Sequence, residues 1–563
     1  MANLTKTKTL FGFTSPRTLE KIIPEINILT SNFSNSVWSG NKDLQIAFFD
    51  KLFESEFYEG ESYPSTPDLA ARDRITRAPK ALGFVDLKPT VQLTEIGSKL
   101  LEEKRLDETF TRQLLKFQLP SPYHTQSKQL EFKVKPYLEL LRLINDLGSL
   151  SKTEIALFFL QLINIDKYEE IKNKIVAFRE NSKNFHGSRK MYVSDCFEKE
   201  IIEIFNDEIT NKNIKTRESE DVSLKKFLKT KQANLRDYAD AFSRYIRATE
   251  LVTFEKRTFR LIISPAKKEE VDYLLAEIER QPFIFKNEKD FKKFLFSENT
   301  LTLFSDNQDL LKKKIQKFDS SADVENKNIE ELKDKLDEYK IEIKNRNIAE
   351  RKNELKSYRE KQEISEIIDT FQQIIKREVP DPPLFLEWNV WRSLVMLNYA
   401  KKVDGNFVMD IDGMPLNYAP GNKPDIEAEY DDFGMIVEVT MSGGNTQYNM
   451  EGESVPRHYG KAKENFNGKD MYCIFVAPKI SEGTLAHYFN LNRMNTKLYG
   501  GKTKIIPLSL DDFTSFIEVG IRNKFNNPKS LKAWLELQWE NNQNSDDESV
   551  WHKKVNASVH SWV

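Results

Sequence analysis

The stretch Gly421-Asn-Lys-Pro-Asp-Ile-Glu427, with Ile436-Val-Glu-Val-Thr440 shortly after it, decides the fold of the last third of the chain. Two short segments that favour extended structure, separated by turn residues, predict a β-hairpin. Around this hairpin the residue pattern predicts a polar helix after Tyr448, a helix over 384–400, and further strands over 407–411, 471–477 and 504–508. Hairpins followed by a crossover helix and another strand indicate a mixed α/β sheet.

Each strand of the predicted hairpin carries a carboxylate that can bind a metal ion. If residues 431–434 form the turn, Asp425 lies almost opposite Thr440 and one diagonal step from Glu438. A shared cation would lower the pKa of an attacking water and neutralise charge on a phosphorane, as phosphodiester hydrolysis requires. Oxygen ligands without a His/Cys cluster favour Mg²⁺, with Mn²⁺ as a substitute, over zinc. The alternative is a strand-edge Glu438 that points to solvent.

Three further residues are candidates for the same site. Glu387 lies in an otherwise apolar helical stretch, where it is either a third acidic ligand or a solvent-facing residue. Glu451 and His458 are seven residues apart, so one helix face can direct both toward the metal, although Pro456 interrupts the helix pattern. In this hypothesis His458 orients water or contacts phosphate. An ordinary surface histidine is the alternative.

The N-terminal half predicts two modules made of helices and short hairpins. In the first, residues 1–130, a basic helix from Asp68 ends near Gly83 and precedes an extended pair and another helix. In the second, residues 131–265, a capping box at Ser151 opens an apolar helix over 155–163, and a helix over 235–249 leads into another hairpin. This order resembles winged-helix and helix-turn-helix units.

Residues 266–380 are rich in Lys, Glu, Asp and Asn and predict a charged helical linker. Val379-Pro-Asp-Pro-Pro383 ends this linker, because proline supplies no N–H and pushes the preceding residue out of helical conformation. The α/β domain then occupies residues 381–563. A multidomain protein agrees with a chain too long for one hydrophobic core.

Composition restricts the class of protein. A chain of 563 residues with 39% hydrophobic and 31% charged residues is typical of a globular protein with a polar surface. The formal net charge of -2 means that any basic face must be local. Cys196 and Cys473 are in no metal-ligand spacing, which fits a reducing cytosol. Without a secretory pattern after Met1 or an apolar span, we expect a cytoplasmic protein.

Longer motifs extend over nearly the whole chain. They are Phe11-Gly-Phe-Thr-Ser-Pro-Arg-Thr18, Ala71-Arg-Asp-Arg-Ile-Thr76, Leu115-Lys-Phe-Gln-Leu-Pro-Ser-Pro122, Lys423-Pro-Asp-Ile-Glu427 and Val455-Pro-Arg-His-Tyr459. On these residues the chain resembles the AlwI-type restriction endonucleases, in the MlyI and PleI branch that is related to the nicking endonucleases BspD6I and BstNBI. The last domain resembles the PD-(D/E)XK nuclease superfamily.

The resemblance implies a type IIS enzyme that reads a short asymmetric site in double-stranded DNA, GAGTC in the nearest relatives, and cuts to one side of it. It also implies winged-helix recognition modules, a monomer whose catalytic domains pair on DNA for double-strand cleavage, and a cognate methyltransferase. The superfamily's lysine position is Thr440, so another group must take the role of that lysine. The implied catalytic residues are Glu387, Asp425, Glu438, Glu451 and His458.

Basic residues of both modules and of the last domain are candidates for DNA contact. Arginine binds phosphates or guanine edges in the major groove, and lysine binds phosphates. For each of these side chains an ordinary surface ion pair is the alternative. The candidates are Arg72, Arg74, Arg77, Lys80, Lys229, Lys231, Arg236 and Arg457.

Other functions compete with a restriction endonuclease. A strand-specific nicking endonuclease would convert supercoiled plasmid only to the open circle. A winged-helix regulator with a decayed nuclease domain would bind DNA whether or not magnesium and Glu438 are present. A nonspecific repair nuclease would degrade plasmid that lacks the site. Because a predicted DNA reader and a predicted cutting centre occur in one chain, the sequence favours the restriction endonuclease.

Overall fold

The computed structural model describes residues 4–55, 57–58, 62–124, 132–216, 218–419, 423–466 and 469–563. Gly421 and Asn422, which open the hairpin motif, lie outside these residues, as does Met1. The described chain is mostly helical and consists of two units, Met1–Tyr339 and Lys340–Val563. The finer division into four regions stays a prediction.

The first unit consists of helices and two short antiparallel hairpins. Its helices are α1 (Ile22–Phe33), α2 (Lys42–Phe53), α3 (Pro67–Thr76), α4 (Ala78–Ala81), α5 (Glu95–Leu101), α6 (Leu106–Lys116), α7 (Pro136–Leu147), α8 (Lys152–Leu157), α9 (Tyr168–Asn184), α10 (Arg189–Ile204), α11 (Asn206–Thr210), α12 (Leu224–Arg247), α13 (Lys268–Glu277), α14 (Glu288–Phe296) and α15 (Gln308–Phe318). The hairpins pair β1 (Val85–Asp86) with β2 (Gln92–Leu93), and β3 (Val252–Phe254) with β4 (Leu261–Ile263). The division between the units falls within α16 (Ile329–Glu360).

The second unit contains a sheet and the helices that cover it. The helices are α17 (Ser365–Ile375), α18 (Pro382–Leu397), α19 (Gly444–Asn465), α20 (Glu482–Leu491), α21 (Leu510–Arg522), α22 (Pro528–Gln543) and α23 (Glu548–Ser558). The strands are β5 (Lys402–Gly405), β6 (Val408–Met409), β7 (Pro415–Asn417), β8 (Ile426–Glu429), β9 (Phe433–Val439), β10 (Asp470–Ala477) and β11 (Ile505–Ser509). Short 3₁₀ helices in the two units cover Leu4–Lys6, Phe159–Gln161, Ile165–Lys167, Pro265–Lys267, Glu298–Thr300, Phe304–Asp306 and Lys497–Tyr499.

The predicted basic helix of the first module is two helices. α3 ends at Thr76 and α4 begins at Ala78, because Arg77 has a non-helical backbone (φ −82°, ψ −100°) and Pro79 supplies no N–H. The prediction of one continuous helix is therefore wrong. Its end near Gly83, the hairpin of β1 and β2, and the following helix are confirmed.

The predicted capping box of the second module is confirmed. Ser151 Oγ accepts a hydrogen bond from the Glu154 N–H at 3.2 Å, and Glu154 Oε2 accepts one from the Ser151 N–H at 2.8 Å. α8 is shorter than predicted, because the chain tightens into a 3₁₀ helix after Phe158. α12 begins earlier than predicted, because Ser223 caps it by accepting from the Lys226 N–H. The second hairpin is confirmed.

Among the described residues, five strands form the main sheet, in the order β11-β10-β9-β8-β5. β9, β10 and β11 are parallel, whereas β8 and β5 are antiparallel to their neighbours. The predicted mixed sheet is confirmed. The edge strand β5 was not predicted, because Lys402-Val-Asp-Gly405 is too polar to have a strand pattern.

The hairpin of β8 and β9 turns at residues 430–432, earlier than predicted. The Tyr430 N–H donates to the Phe433 carbonyl at 3.0 Å, and the two rings stack with their centroids 4.4 Å apart. The register pairs Ile426 with Val437, which places Asp425 next to Glu438 across the hairpin rather than opposite Thr440. The predicted register is wrong, and the observed one brings the two acidic residues together.

No helix in the part of the chain that the structure describes has the length and apolar character that crossing a membrane requires.

Candidate active site

Four acidic side chains from four separate segments meet at the carboxyl end of β9. Glu438 lies in β9, between β8 and β10, and is 4% exposed. Asp425 immediately precedes β8, and its Oδ2 accepts a hydrogen bond from the Val439 N–H at 2.7 Å. Glu387 belongs to α18 and Glu451 to α19. Because Glu438 and Glu387 are both buried, the solvent-facing alternatives for these two residues are wrong.

The four carboxyl groups disfavour one another's ionisation. Burial raises the pKa of Asp425 well above its ordinary value, and the charge of Glu438 raises it further. Burial likewise raises the pKa of Glu438, with Glu451 adding to it, and the pKa of Glu387, with Asp425 adding to it. Burial raises the pKa of Glu451 too, although the Thr440 hydroxyl opposes this by hydrogen bonding. A cation in their midst would relieve the repulsion among the four ionised groups.

His458 joins this acidic set from α19. This helix continues through Pro456, so Glu451 and His458 share one face as the sequence predicts. His458 Nδ1 lies 2.8 Å from Glu438 Oε1. Burial lowers the pKa of His458 and raises that of Glu438, so each shift disfavours the charged form that a salt bridge would require.

Two polar atoms of the site are buried, one on Glu387 and one on His458. Among the described residues, neither Glu387 Oε2 nor His458 Nε2 has a hydrogen-bond partner. A buried polar atom without a partner costs free energy that a ligand or water can recover. Together with the oxygen-rich donor set, these atoms fit a hard divalent cation and its water. As they stand, no three His, Cys, Asp or Glu side chains of the described chain form a metal cage.

Asp381 is a fifth acidic residue near the site, and the sequence analysis assigns it no role beyond ending the linker. It precedes α18, accepts a hydrogen bond from the Tyr418 hydroxyl at 2.6 Å, and its charge raises the pKa of Glu387. The signal that points to it is an acidic residue at the N-terminal end of the helix that carries Glu387.

Gln447 fixes the start of α19, one helical turn before Glu451. Its Nε2 donates to the carbonyls of Ser442 and Lys479, each at 2.9 Å, and its Oε1 accepts from the Ser481 N–H at 2.7 Å. The side chain is fully buried. It therefore ties the loops after β9 and β10 to the helix that carries Glu451 and His458. No sequence pattern distinguishes it from a surface glutamine.

A family profile described as AlwI restriction endonuclease matches residues 80–516, more than half of the chain, and this span includes the whole acidic set. The chain belongs to the AlwI restriction endonuclease family. As an AlwI-family member it is a site-specific nuclease that binds DNA. No curated protein matches the chain.

Two solved structures are similar to parts of this AlwI-family chain. One is the crystal structure of the small subunit of the heterodimeric restriction endonuclease R.BspD6I, with 26% identity and a TM-score of 0.31, covering 34% of this chain and 98% of that chain. The other is the BpuJ1 endonuclease binding domain in complex with pyrene- and phenanthrene-modified DNA. It has 14% identity and a TM-score of 0.33, covering 51% of this chain and 93% of that chain.

The predicted DNA-contact residues of this AlwI-family protein have different surroundings, and their contact with DNA stays a prediction. Because the helix breaks at Arg77, Lys80 belongs to α4 and lies over the Tyr123 ring at 4.7 Å. Three arginines form ion pairs: Arg72 with Asp68 at 3.3 Å, Arg77 with Asp73 at 2.8 Å and Arg457 with Glu453 at 3.1 Å. Two basic side chains lie over aromatic rings, Lys231 over Phe205 at 4.4 Å and Arg236 over Phe197 at 4.8 Å. Lys229 is exposed. Arg74 turns inward and pairs with buried Glu25.

We expect Arg74→Ala to lower the free energy of unfolding by about 2 kcal/mol near pH ~8.5 and by much less near pH ~6. Burial raises the pKa of Glu25 to about 7, with Arg74 opposing the rise. Because this folded-state pKa is above the unfolded value, the stability that Glu25 contributes is present in acid and is lost as the pH rises through about 7. Removing Arg74 therefore leaves a buried charge only at the higher pH.

Urea unfolding at the two pH values measures this difference. Arg72→Ala is the matched control, since Arg72 pairs with Asp68 near the surface and its loss should change stability by less than ~0.5 kcal/mol. An equal loss of stability at both pH values in Arg74→Ala would contradict the expected coupling to Glu25.

Proposed function

We propose that the protein is a type IIS restriction endonuclease that recognises a short asymmetric DNA sequence, GAGTC, and cuts a few base pairs to one side. The observation that carries this proposal is the convergence of four carboxylates at the end of β9, of which Glu387 and Glu438 are buried, beside a buried histidine nitrogen that has no partner among the described residues. The mixed sheet supports a PD-(D/E)XK catalytic domain over 381–563. The helix-hairpin arrangements support winged-helix modules over 1–130 and 131–265, joined to the catalytic domain by a helical linker over 266–380.

Mg²⁺, with Mn²⁺ as a substitute, is the proposed cofactor. Glu387, Asp425, Glu438 and Glu451 are its proposed ligands, because their oxygens are hard donors and a cation would offset their mutual repulsion. Since no three of them form a cage as they stand, binding would require their side chains to adjust. When bound, the metal would supply charge neutralisation at the phosphate and a lower pKa for an attacking water.

His458 and Thr440 are the other two side chains to which the proposed mechanism refers. With Glu438 at Nδ1, His458 presents Nε2 as the nitrogen that can accept a proton from water. Thr440 occupies the position of the superfamily's lysine, and its hydroxyl hydrogen-bonds to Glu451 instead of contacting phosphate as a cation would. We therefore assign the role of the missing lysine to His458.

Double-stranded DNA is the proposed substrate. One active site cuts one strand, so double-strand cleavage would require two catalytic domains to pair transiently on DNA, whereas the free protein would be a monomer. A cognate methyltransferase would protect the host sequence, and both proteins would act in the cytoplasm. The family assignment supports the restriction function that connects these expectations.

Supercoiled plasmid with one GAGTC site, incubated with Mg²⁺ or with EDTA, tests the proposal. We expect linear DNA with ends at one fixed offset from the site, and only with Mg²⁺. The control plasmid without GAGTC should stay supercoiled. Open circle as the final product would instead establish a nicking endonuclease, and degradation of the control plasmid a nonspecific one. A GAGTC plasmid left intact by active protein would contradict the proposed recognition sequence.

A further inference from the structure

A groove with a volume of about 570 Å³ lies in the first unit, between segments that are far apart in sequence. The N-terminal segment 7–13, the end of α3 with Arg77, and α12 form most of its lining, to which His124, Phe205 and Glu218 also contribute. The N-terminal segment includes the first three residues of the long motif Phe11-Gly-Phe-Thr-Ser-Pro-Arg-Thr18. The catalytic proposal gives that motif no role. The groove thus joins the two predicted DNA-reading modules at one surface.

Both helices direct one face toward the groove. The residues from α12 recur at intervals of three and four, the spacing of one helix face; they are Lys231, Asn234, Leu235 and Tyr238. Asp73 and Thr76 of α3 lie three residues apart on one helix face, and Arg77, the residue after the end of α3, borders the groove beside them. Two helix faces of mixed polarity therefore border the same space.

The N-terminal side of the groove is fixed by close packing. A Cβ added to Gly12 would lie 2.8 Å from Ala241 Cβ and 2.9 Å from the Tyr238 carbonyl oxygen, so only glycine allows this approach to α12. The Leu10 N–H donates to the Leu160 carbonyl at 2.6 Å. A groove whose walls are held in this way loses little conformational freedom when a ligand binds.

Charges of both signs face the groove. Lys8, Arg77 and Lys231 are basic, whereas Asp73 and Glu218 are acidic. A site that only binds phosphates would be uniformly basic, but base edges in the major groove present both donors and acceptors. Arg77 and Asp73 pair at 2.8 Å with 37% and 55% of their side chains exposed, so water or a ligand can readily replace this contact.

Asn234 is the groove residue best suited to reading a base. It is half-buried on α12, and in the part of the chain that the structure describes its carboxamide makes no hydrogen bond. An asparagine carboxamide offers one acceptor and one donor side by side. This arrangement matches N6 and N7 of adenine in the major groove.

We propose that this groove contacts base edges of duplex DNA and that Asn234 is a specificity-determining residue that reads an adenine. The inference rests on the proposed DNA-reading function and adds a surface and a residue to it. It gives the N-terminal motif a role, because Gly12 packs against α12, the helix that carries Asn234, and its segment lines the same groove. Arg77 borders the same groove. If its ion pair with Asp73 were replaced by hydrogen bonds to a guanine edge, Arg77 would read the neighbouring base pair.

Selection from a duplex library of randomised sequence tests the inference. The full-length protein is mixed with the library in EDTA, bound duplexes are sequenced, and affinities for the selected sequence are measured by fluorescence anisotropy. We expect the wild type to select one sequence. Asn234→Ala should lose the preference for adenine at one position, keep the others, and bind the wild-type sequence about 10- to 100-fold more weakly.

Gln232→Ala is the matched control, since Gln232 also carries a carboxamide on α12 but lies outside the groove. It should select the wild-type sequence with wild-type affinity. An unchanged preference in Asn234→Ala, or a uniform loss of affinity for all sequences, would overturn the role of Asn234 while the proposed restriction function stands. Selection of no sequence by the wild type would instead refute site-specific recognition itself.

Discussion

Asp425→Ala is expected to slow DNA cleavage by about a thousandfold while sequence-specific binding stays within about twofold of the wild-type affinity. Asp425 is a proposed metal ligand and lies next to Glu438 across the hairpin. Its removal deletes an oxygen donor from the acidic set but changes nothing in the first unit, where DNA reading is proposed. Single-turnover cleavage rates at saturating Mg²⁺, with anisotropy in EDTA, measure the two quantities separately.

Folding of this variant is not expected to be impaired. Asp425 is one of several carboxyl groups that raise one another's pKa, so deleting it relieves repulsion and offsets the loss of its hydrogen bond from the Val439 N–H. Asp432→Ala, at an exposed position in the turn of the same hairpin, is the control and should cleave at the wild-type rate. A normal cleavage rate in Asp425→Ala would refute the assignment of the metal site.

The hairpin that carries the site could be predicted from the sequence, but its register could not. Short segments that favour extended structure, separated by turn residues, identify the strands, whereas the position of the turn depends on packing between particular side chains. Here Tyr430 and Phe433 stack and close the turn earlier than the polar residues suggest. A shift of this kind changes which residues face each other, and it decides that Asp425 meets Glu438.

The acidic residues of the candidate site could be selected in advance because a carboxylate in an apolar strand or helix is unusual. Their burial, and the hydrogen bond between His458 and Glu438, depend on tertiary packing that a single sequence does not reveal. For the basic residues, in contrast, the sequence pattern predicted the wrong local structure. A run of arginines suggested a single DNA-binding helix, but Arg77 ends that helix and Arg74 turns inward to Glu25.

His458→Asn is expected to slow cleavage by about 10²- to 10⁴-fold, the range for loss of a general base. Asparagine can still donate a hydrogen bond to Glu438, but it has no nitrogen that accepts a proton as Nε2 of the imidazole can. The Mg²⁺ concentration that gives half-maximal rate should stay within about threefold of wild type, because the acidic ligands remain. His560→Asn, at an exposed position near the C-terminus, is the control and should have no effect.

If His458 performs the role that lysine has elsewhere in the superfamily, a lysine at position 440 should restore part of what His458→Asn loses. Thr440 is buried beside Glu451, so the ammonium group of Thr440→Lys would lie among carboxylates that stabilise its charge. We expect the double variant to cleave at least about tenfold faster than His458→Asn, and Thr440→Lys alone to cleave no faster than wild type. A double variant as slow as His458→Asn would show that a lysine at position 440 does not replace the function of the His458 imidazole.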